Sequence, residues 1–233
     1  MEAIVLAGGL GTRLRGVVNE LPKSMAGING RPFLEYLLNY LSGQQISRII
    51  LSVGYKNEAI RDFFGDHFKS IPIEYAVEKE PLGTGGAIRY AFGQVEGDMA
   101  FVLNGDSLFR VDLNALKKFH IGNDSTFTLA LHYMRDTSRY GNVRVNVEGR
   151  ITGFMEKCQS EGGGLINGGI YLINKDFFLR YALPEKFSME KDCFEKYYSE
   201  ERIYGYPSEG YFLDIGIPED YFKAQDEFRQ FED

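Results

Sequence analysis

The sequence predicts an α/β protein built on a mixed, mostly parallel β-sheet flanked by helices. Three observations carry this. Short apolar runs with strand character alternate with amphipathic helical segments through the first half of the chain. The helices between them are long enough to cross from one parallel strand to the next, and such crossovers are right-handed. The first apolar run leads straight into "AGGLGTR", a glycine-rich turn of the kind that brings backbone N–H groups up to phosphate.

Taken in order, "EAIVLAG" is a buried strand that ends in the glycine loop. In "PFLEYLLNYL" the apolar residues Phe33, Leu34, Leu37, Leu38 and Leu41 share one helical face, with Pro32 near its start. "RIILSVG" is a second strand and "NEAIRDFF" a second helix. "IPIEYAV" reads as a short strand, "GTGGAIRYAFGQV" opens a third helix, and "MAFVLNGD" is a strong central strand. The second half is more mixed. "STFTLALHYM" and "YGNVRVNVEGRITGFMEK" alternate as strands, the latter turning at Glu148-Gly149. "GGIYLINKDF" passes from strand to helix, and "GIPEDYFKAQDEFRQF" is an amphipathic C-terminal helix. No linker separates the halves, so the expectation is one domain whose later strands extend the same sheet. Ligands of such sheets bind over the carboxyl ends of the strands.

At 233 residues, 44% hydrophobic and 25% charged, the chain has the make-up of an ordinary globular protein. Its net charge of -7 speaks against a nucleic-acid partner, which calls for a basic face. An anionic ligand would have to be met by locally gathered cations. The two cysteines, Cys158 and Cys193, lack C-x-x-C spacing and suggest neither a disulfide framework nor a zinc site. With no stretch resembling a signal peptide or a membrane span, the expectation is a cytoplasmic protein acting on small molecules, with no membrane partner. A homo-oligomer is compatible with the sequence, which leaves the oligomeric state open.

Candidate site residues fall just after strands. Gly8-Gly9-Leu10-Gly11-Thr12-Arg13, followed by Pro22-Lys23, offers loop amides and two cations. It fails the dinucleotide G-x-G-x-x-G pattern, because Leu14 holds the last place, and it lacks the G-K-[ST] of a Walker loop. What remains is a phosphate site with Arg13 and Lys23 as charge-assisted ligands. "PLGTGGAI" opens a helix with glycines that either cap it or let a flat ligand lie against backbone. Asn104-Gly105-Asp106 reads equally as a turn or as a metal-ligand position at the end of a central strand. Asp214 in "YFLDIGIPEDY" is a second carboxylate after a short apolar run. Either aspartate alone is as readily a helix cap; two of them in a phosphate-binding chain favour a metal site. Glu156-Lys157 in "FMEKC" and Asn167-Gly168-Gly169 in "LINGGIY" read singly as a surface pair and a turn. His67, His120 and His132 have no nucleophile or metal spacing nearby and read as structural or exposed.

Together these motifs resemble the nucleotidyltransferases that join a nucleoside triphosphate to a sugar 1-phosphate and release pyrophosphate. The G-G-x-G-T-R loop with its later P-K, L-G-T-G, G-D, F-x-E-K, N-G-G-I-Y and D-I-G-x-P occur in the family's order from residue 8 to 218. The chain resembles especially the short bacterial members, the D-glycero-D-manno-heptose 1-phosphate guanylyltransferases. The resemblance implies a Rossmann-like, GT-A-like fold over residues 1–233, with a nucleotide-binding half of about 1–110 and a sugar-phosphate-binding half of about 111–233. It implies nucleotide contacts from Leu6, Gly8, Gly9, Gly11, Thr12, Arg13, Glu78, Gly83, Thr84, Asn104 and Gly105. Arg13 would meet the leaving pyrophosphate and Lys23 the reacting phosphates. Asp106 and Asp214 would hold Mg²⁺. Glu156 and Asn167 would meet sugar hydroxyls, with Lys157 on the sugar phosphate and Gly168 beside them. Glu78 stands where relatives that use pyrimidine nucleotides typically carry glutamine, and an acceptor-only carboxylate there suits guanine. Ser24 follows Lys23 where close short relatives often have proline, which loosens the loop.

The reaction so implied is a direct displacement on GTP, with no general base because a sugar phosphate is already an anionic nucleophile. Alternatives that stay open are a mannose-1-phosphate guanylyltransferase, a uridylyltransferase acting on another sugar 1-phosphate, and a sugar-nucleotide sensor without chemistry. An NAD-dependent oxidoreductase is disfavoured by the failed fingerprint.

Overall fold

The first apolar run sets the centre of the molecule. β1 (Glu2–Leu6) is covered on both faces, as a parallel strand between layers of helix must be. Residues 1–9, 21–155 and 162–231 are described by the structure, a computed structural model. After β1 come a 3-10 turn (Lys23–Met25), the two-residue strands β2 (Gly27–Ile28) and β3 (Arg31–Pro32), α1 (Phe33–Ser42), β4 (Arg48–Val53), α2 (Asn57–Phe64), β5 (His67–Phe68), β6 (Ile71–Val77), α3 (Gly83–Phe92) and β7 (Met99–Asn104). The second half contains β8 (Ser107–Phe109), α4 (Leu113–Gly122), β9 (Phe127–Met134), β10 (Asn142–Val145), β11 (Ile151–Met155), β12 (Gly164–Asn174) and α5 (Phe177–Arg180). A π turn (Glu190–Phe194), α6 (Glu195–Tyr197), β13 (Ile203–Pro207), β14 (Phe212–Asp214), α7 (Pro218–Glu227) and a closing 3-10 turn (Phe228–Phe231) complete it.

β6, β4, β1 and β7 are parallel neighbours. β12 joins β7 antiparallel through Ile170–Asn174, loses register between Asn167 and Tyr171, and continues as the partner of β9 and β10. Strands from both halves thus share one mixed sheet. Side-chain alternation sorts its two faces. Ala3 and Val5 of β1 face a core formed with α1, α4, α7 and Phe228, while Ile4 faces one formed with α3, Phe177 and Phe194. Leu34, Leu37 and Leu38 of α1 are fully buried, each contributing roughly 1.5–3 kcal/mol.

The amino ends of the strands are closed by charge. Glu2 opens β1 opposite Arg48, which opens β4. Arg48 is gripped by Glu2, by Glu74 at 2.7 Å and by Glu96 at 3.2 Å. Glu2 also accepts the backbone N–H groups of Glu96 and Gly97, and these bonds outweigh its burial and hold its carboxyl below the usual range.

The sequence does not foreshadow β2, β3, β5, β8 or β13, nor α4 or α6. Strands of two or three residues are defined by their partners rather than by a pattern of their own. α4 does carry a local signal, since Asp112 accepts from the N–H groups of Asn114 and Ala115 as an N-cap. Among the described residues no helix is long and apolar enough to cross a membrane.

Candidate active site

The four parallel strands end at one edge, and their exits enclose a cavity of about 880 Å³. Leu6, Gly8 and Gly9 line it after β1, Gly54 to Glu58 after β4, Glu78 to Pro81 after β6, and Asn104 to Asp106 after β7, with Lys23, Gly83 and Thr84. Ten of the expected site residues therefore share one space. Leu10, Gly11, Thr12, Arg13, Glu156, Lys157 and Cys158 lie outside the described residues.

Lys23 reaches the cavity from its 3-10 turn. Ser24 is buried there, and its hydroxyl donates to the carbonyl of Ala7 at 3.4 Å, so the serine ties the turn to the exit of β1 instead of loosening it. Asp106 and Asp214 meet because β14 pairs with β8, placing Asp214 opposite Ser107, and because Ile215 N–H donates to the Asp106 carbonyl. Gly105 is pressed so close to β1 that a Cβ would lie 2.5 Å from the Leu6 carbonyl oxygen.

The Lys23 ammonium lies 2.6 Å from Asp106 Oδ2 and 3.7 Å from Asp214 Oδ1. Two carboxylates thus share one cation. Burial, and after it the Asp106 charge, pushes the Asp214 carboxyl up. Asp214 Oδ1 is buried without a hydrogen-bond partner, and 3.7 Å from an ammonium is an ion pair rather than a hydrogen bond. An unmatched negative charge with an unsatisfied oxygen fits a divalent cation. Among the described residues no group of three or more His, Cys, Asp or Glu could hold a metal. A metal here would have two protein carboxylates, leaving room for phosphate oxygens, as Mg²⁺ sites commonly do.

Glu78 leaves β6 on the far side of the same cavity. Its Oε1 accepts from Ser52 Oγ at 3.2 Å and its Oε2 from Leu82 N–H at 3.1 Å. Each oxygen keeps a further lone pair. The carboxylate abuts the loop, since a Cβ on Gly8 would stand 3.2 Å from Oε1.

Gly83 and Thr84 of "GTGG" line the cavity, while Gly85 and Gly86 are packed by the chain itself. A Cβ on Gly85 would lie 2.2 Å from the Phe187 ring, and one on Gly86 2.5 Å from the Glu185 carbonyl oxygen. The N–H groups of Gly85 and Gly86 both donate to the Phe187 carbonyl. The chain's own segment around Phe187, not a flat ligand, lies against this backbone and satisfies the first turn of α3. The Thr84 hydroxyl is likewise engaged, donating to Glu190 Oε2 at 2.9 Å and accepting from Met189 N–H.

Asn167 and Gly168 lie in the second half and do not line the cavity. Gly168 is buried against the Phe109 ring. Asn167 is half-buried, and its side chain meets Tyr171 and Gly169. Near Asp214, Arg139 pairs with Asp220 at 2.6 Å, and burial followed by the Asp214 charge pushes the Tyr140 hydroxyl up. Sequence reasoning misses Arg139 and Tyr140, and also Tyr55, Lys56, Asn57 and Glu58. For the last four the signal was present, since they follow a parallel strand as the other site segments do.

The histidines are engaged elsewhere. His67 is exposed beside Asp66. His120 is buried between Thr128 and Asn174. His132 stacks on Phe212 with its edge toward Phe109. Cys193 is buried, and burial pushes its thiol up to about 12.

This arrangement has counterparts. D-glycero-alpha-D-manno-heptose 1-phosphate guanylyltransferase of Aneurinibacillus thermoaerophilus is 49% identical over 232 residues, covering 99% of this chain and 100% of that protein. A protein of the same name from Campylobacter jejuni is 47% identical over 222 residues, or 95% and 97% of the two. Among solved structures, HddC from Yersinia pseudotuberculosis complexed with GMP-PN superposes with a TM-score of 0.87 at 37% identity, covering 97% of this chain and 99% of that one. A sequence model described as nucleotidyl transferase matches residues 2–230, nearly end to end. Matched by that model over nearly its whole length and by guanylyltransferases across their full extent, the chain belongs to the nucleotidyl transferase family.

Proposed function

We propose that this protein transfers GMP from GTP to D-glycero-α-D-manno-heptose 1-phosphate, giving GDP-heptose and pyrophosphate. The observation that carries the reading is a cavity over the ends of four parallel strands that leads to two carboxylates sharing one lysine ammonium. Full-length identity with two guanylyltransferases of that name supports the choice of base and sugar.

The chemistry asks one anion to approach another. An oxygen of the sugar phosphate forms a bond to the α-phosphorus of GTP. The bond from that phosphorus to the bridging oxygen breaks, and pyrophosphate leaves with the electron pair. The nucleophile is already ionised, so no base is required, in keeping with three histidines engaged elsewhere. Gly8, Gly9 and Gly11 offer amides to the nucleotide, with Arg13 on the leaving pyrophosphate. Lys23 stabilises charge that redistributes over the reacting phosphates. Asp106 and Asp214 would hold Mg²⁺, which supplies charge neutralisation between the two anions. Glu156, Asn167 and Lys157 receive the sugar phosphate and align it in line with the leaving group. Glu78 accepts from N1–H and N2–H₂ of guanine.

The test is pyrophosphate release with Mg²⁺, each of the common nucleoside triphosphates and a panel of sugar 1-phosphates. GTP with the heptose 1-phosphate should give the highest kcat/KM. A preference for mannose 1-phosphate would reassign the sugar, a preference for UTP would reassign the base, and no release with any pair would point to a sensor.

A further inference from the structure

The N-G-G-I-Y segment is where the second half of the chain packs against the Asn104 exit of β7. β12 loses register with β9 between Asn167 and Tyr171. Gly169, inside that irregularity, has φ 75°, a left-handed conformation that glycine adopts without steric cost. The bend brings residues four apart together. Asn167 Nδ2 donates to the Tyr171 hydroxyl at 2.8 Å, and Gly169 N–H donates to Asn167 Oδ1 at 3.0 Å. Only one orientation of the amide satisfies both contacts, because a backbone N–H must face the oxygen. The side chain of Asn104, the residue that leads into Gly105-Asp106, lies against the same bend, since a Cβ on Gly169 would stand 2.7 Å from its Nδ2.

Tyr171 is 1% exposed and packs among Phe127 and Phe194. A phenylalanine would fill the same apolar surroundings. It would lack the polar atom that receives the Asn167 amide, and that atom sits where burial and then the Glu190 charge keep it protonated.

We propose that Tyr171 is a positioning residue: its hydroxyl fixes the Asn167 amide for the sugar 1-phosphate, at the bend that packs against Asn104 at the edge of the Asp106 loop. This rests on the placement of Asn167 at the sugar given above. The tyrosine does not itself touch substrate. Removing its hydroxyl releases Asn167 to turn about χ2, so the amide reaches the sugar in its working orientation only part of the time.

The experiment is a double-mutant cycle of Tyr171→Phe and Asn167→Ala, read as KM for the sugar 1-phosphate, KM for GTP and kcat. Tyr171→Phe should raise the sugar-phosphate KM on the order of five- to tenfold, the loss expected for about one oriented hydrogen bond. The KM for GTP should change by less than about twofold, since no nucleotide contact is removed. The double variant should match Asn167→Ala alone, because the hydroxyl has nothing left to orient. Additive effects, or equal rises in both KM values, would overturn the positioning role while leaving Asn167 at the sugar. An Asn167→Ala variant with unchanged sugar-phosphate KM would remove the sugar subsite itself, and the proposal with it. A readout on the wild-type fold guards against a poorly folding variant. The side-chain amide protons of Asn167 should exchange slowly with solvent, and fast exchange of both would overturn the link.

Discussion

In Glu78→Gln one carboxylate oxygen becomes an NH₂ group, and its surroundings decide which. Leu82 N–H donates to Oε2 at 3.1 Å, so an NH₂ group cannot sit there. Ser52 Oγ lies 3.2 Å from Oε1 and, being a hydroxyl, accepts as readily as it donates. The amide oxygen of the variant therefore takes the Leu82 side and its NH₂ the Ser52 side, which is the side next to Gly8. A guanine presenting N1–H and N2–H₂ meets two acceptors in the wild type. In the variant it meets one acceptor and one donor. Losing a hydrogen bond to a charged group and setting two donors face to face costs roughly 1.5–3 kcal/mol, or about ten- to a hundredfold. The O4 acceptor of uracil or thymine gains a partner in the same exchange. The assay is kcat/KM for GTP, UTP, dTTP, CTP and ATP against one sugar 1-phosphate. GTP should fall by that factor while UTP rises. A wild type that prefers UTP, or a variant whose GTP preference is untouched, would refute the reasoning and leave Glu78 as a cap for the turn at Leu82.

Asp106→Asn should lower kcat by at least about a hundredfold, because an amide cannot supply counter-charge to a metal. Its melting temperature should stay close to wild type, since the Asp106 side chain is 39% exposed; near-normal turnover would take Asp106 out of the site. Lys23→Ala should lower kcat more than it raises KM, as its charge matters most where negative charge redistributes, and a pure KM effect would show that Lys23 only binds. Burial lowers the proton affinity of His120, so the unfolded chain takes up a proton near pH 6.5 while the folded chain resists until lower pH. That contribution is complete above about pH 6.5 and is lost as the pH falls through the folded-state value. His120→Gln should therefore flatten the decline in melting temperature between pH 7 and 5, and an unchanged slope would clear His120 of the effect.

The parallel nucleus was legible because its strands are buried on both faces and must be apolar throughout. "IPIEYAV" marks β6 to the residue, and "RIILSVG" overruns β4 only by Gly54. The pairing of Asp106 with Asp214 was legible as two carboxylates after strands in a phosphate-binding chain, but the way the fold brings them together was not. What joins them is the register of β14 on β8, two three-residue strands far apart in the chain with no periodicity to announce them. Glycine shows where something comes close, but not what comes close. At Gly85 and Gly86 the approaching group is the chain around Phe187, and no local rule links those positions. Tyr171 stands inside a motif that draws the eye to its glycines. Its role becomes visible only when the break in β12 folds the Asn167 amide back onto its hydroxyl.

The strands that carry the cavity at their carboxyl ends begin at the Glu2–Arg48 cluster, where several acceptors surround one guanidinium. At the other end, two carboxylates divide one ammonium and leave an oxygen wanting. The same rods are thus sealed at one tip and reactive at the other. Damage at Arg48 would be felt as lost resistance to heat, and damage at Lys23 as lost turnover, with little trade between them. Such a separation lets the reactive tip drift toward a new base or a new sugar while the sealed tip preserves the scaffold, a ready source of diversity for a fold asked to activate many sugars.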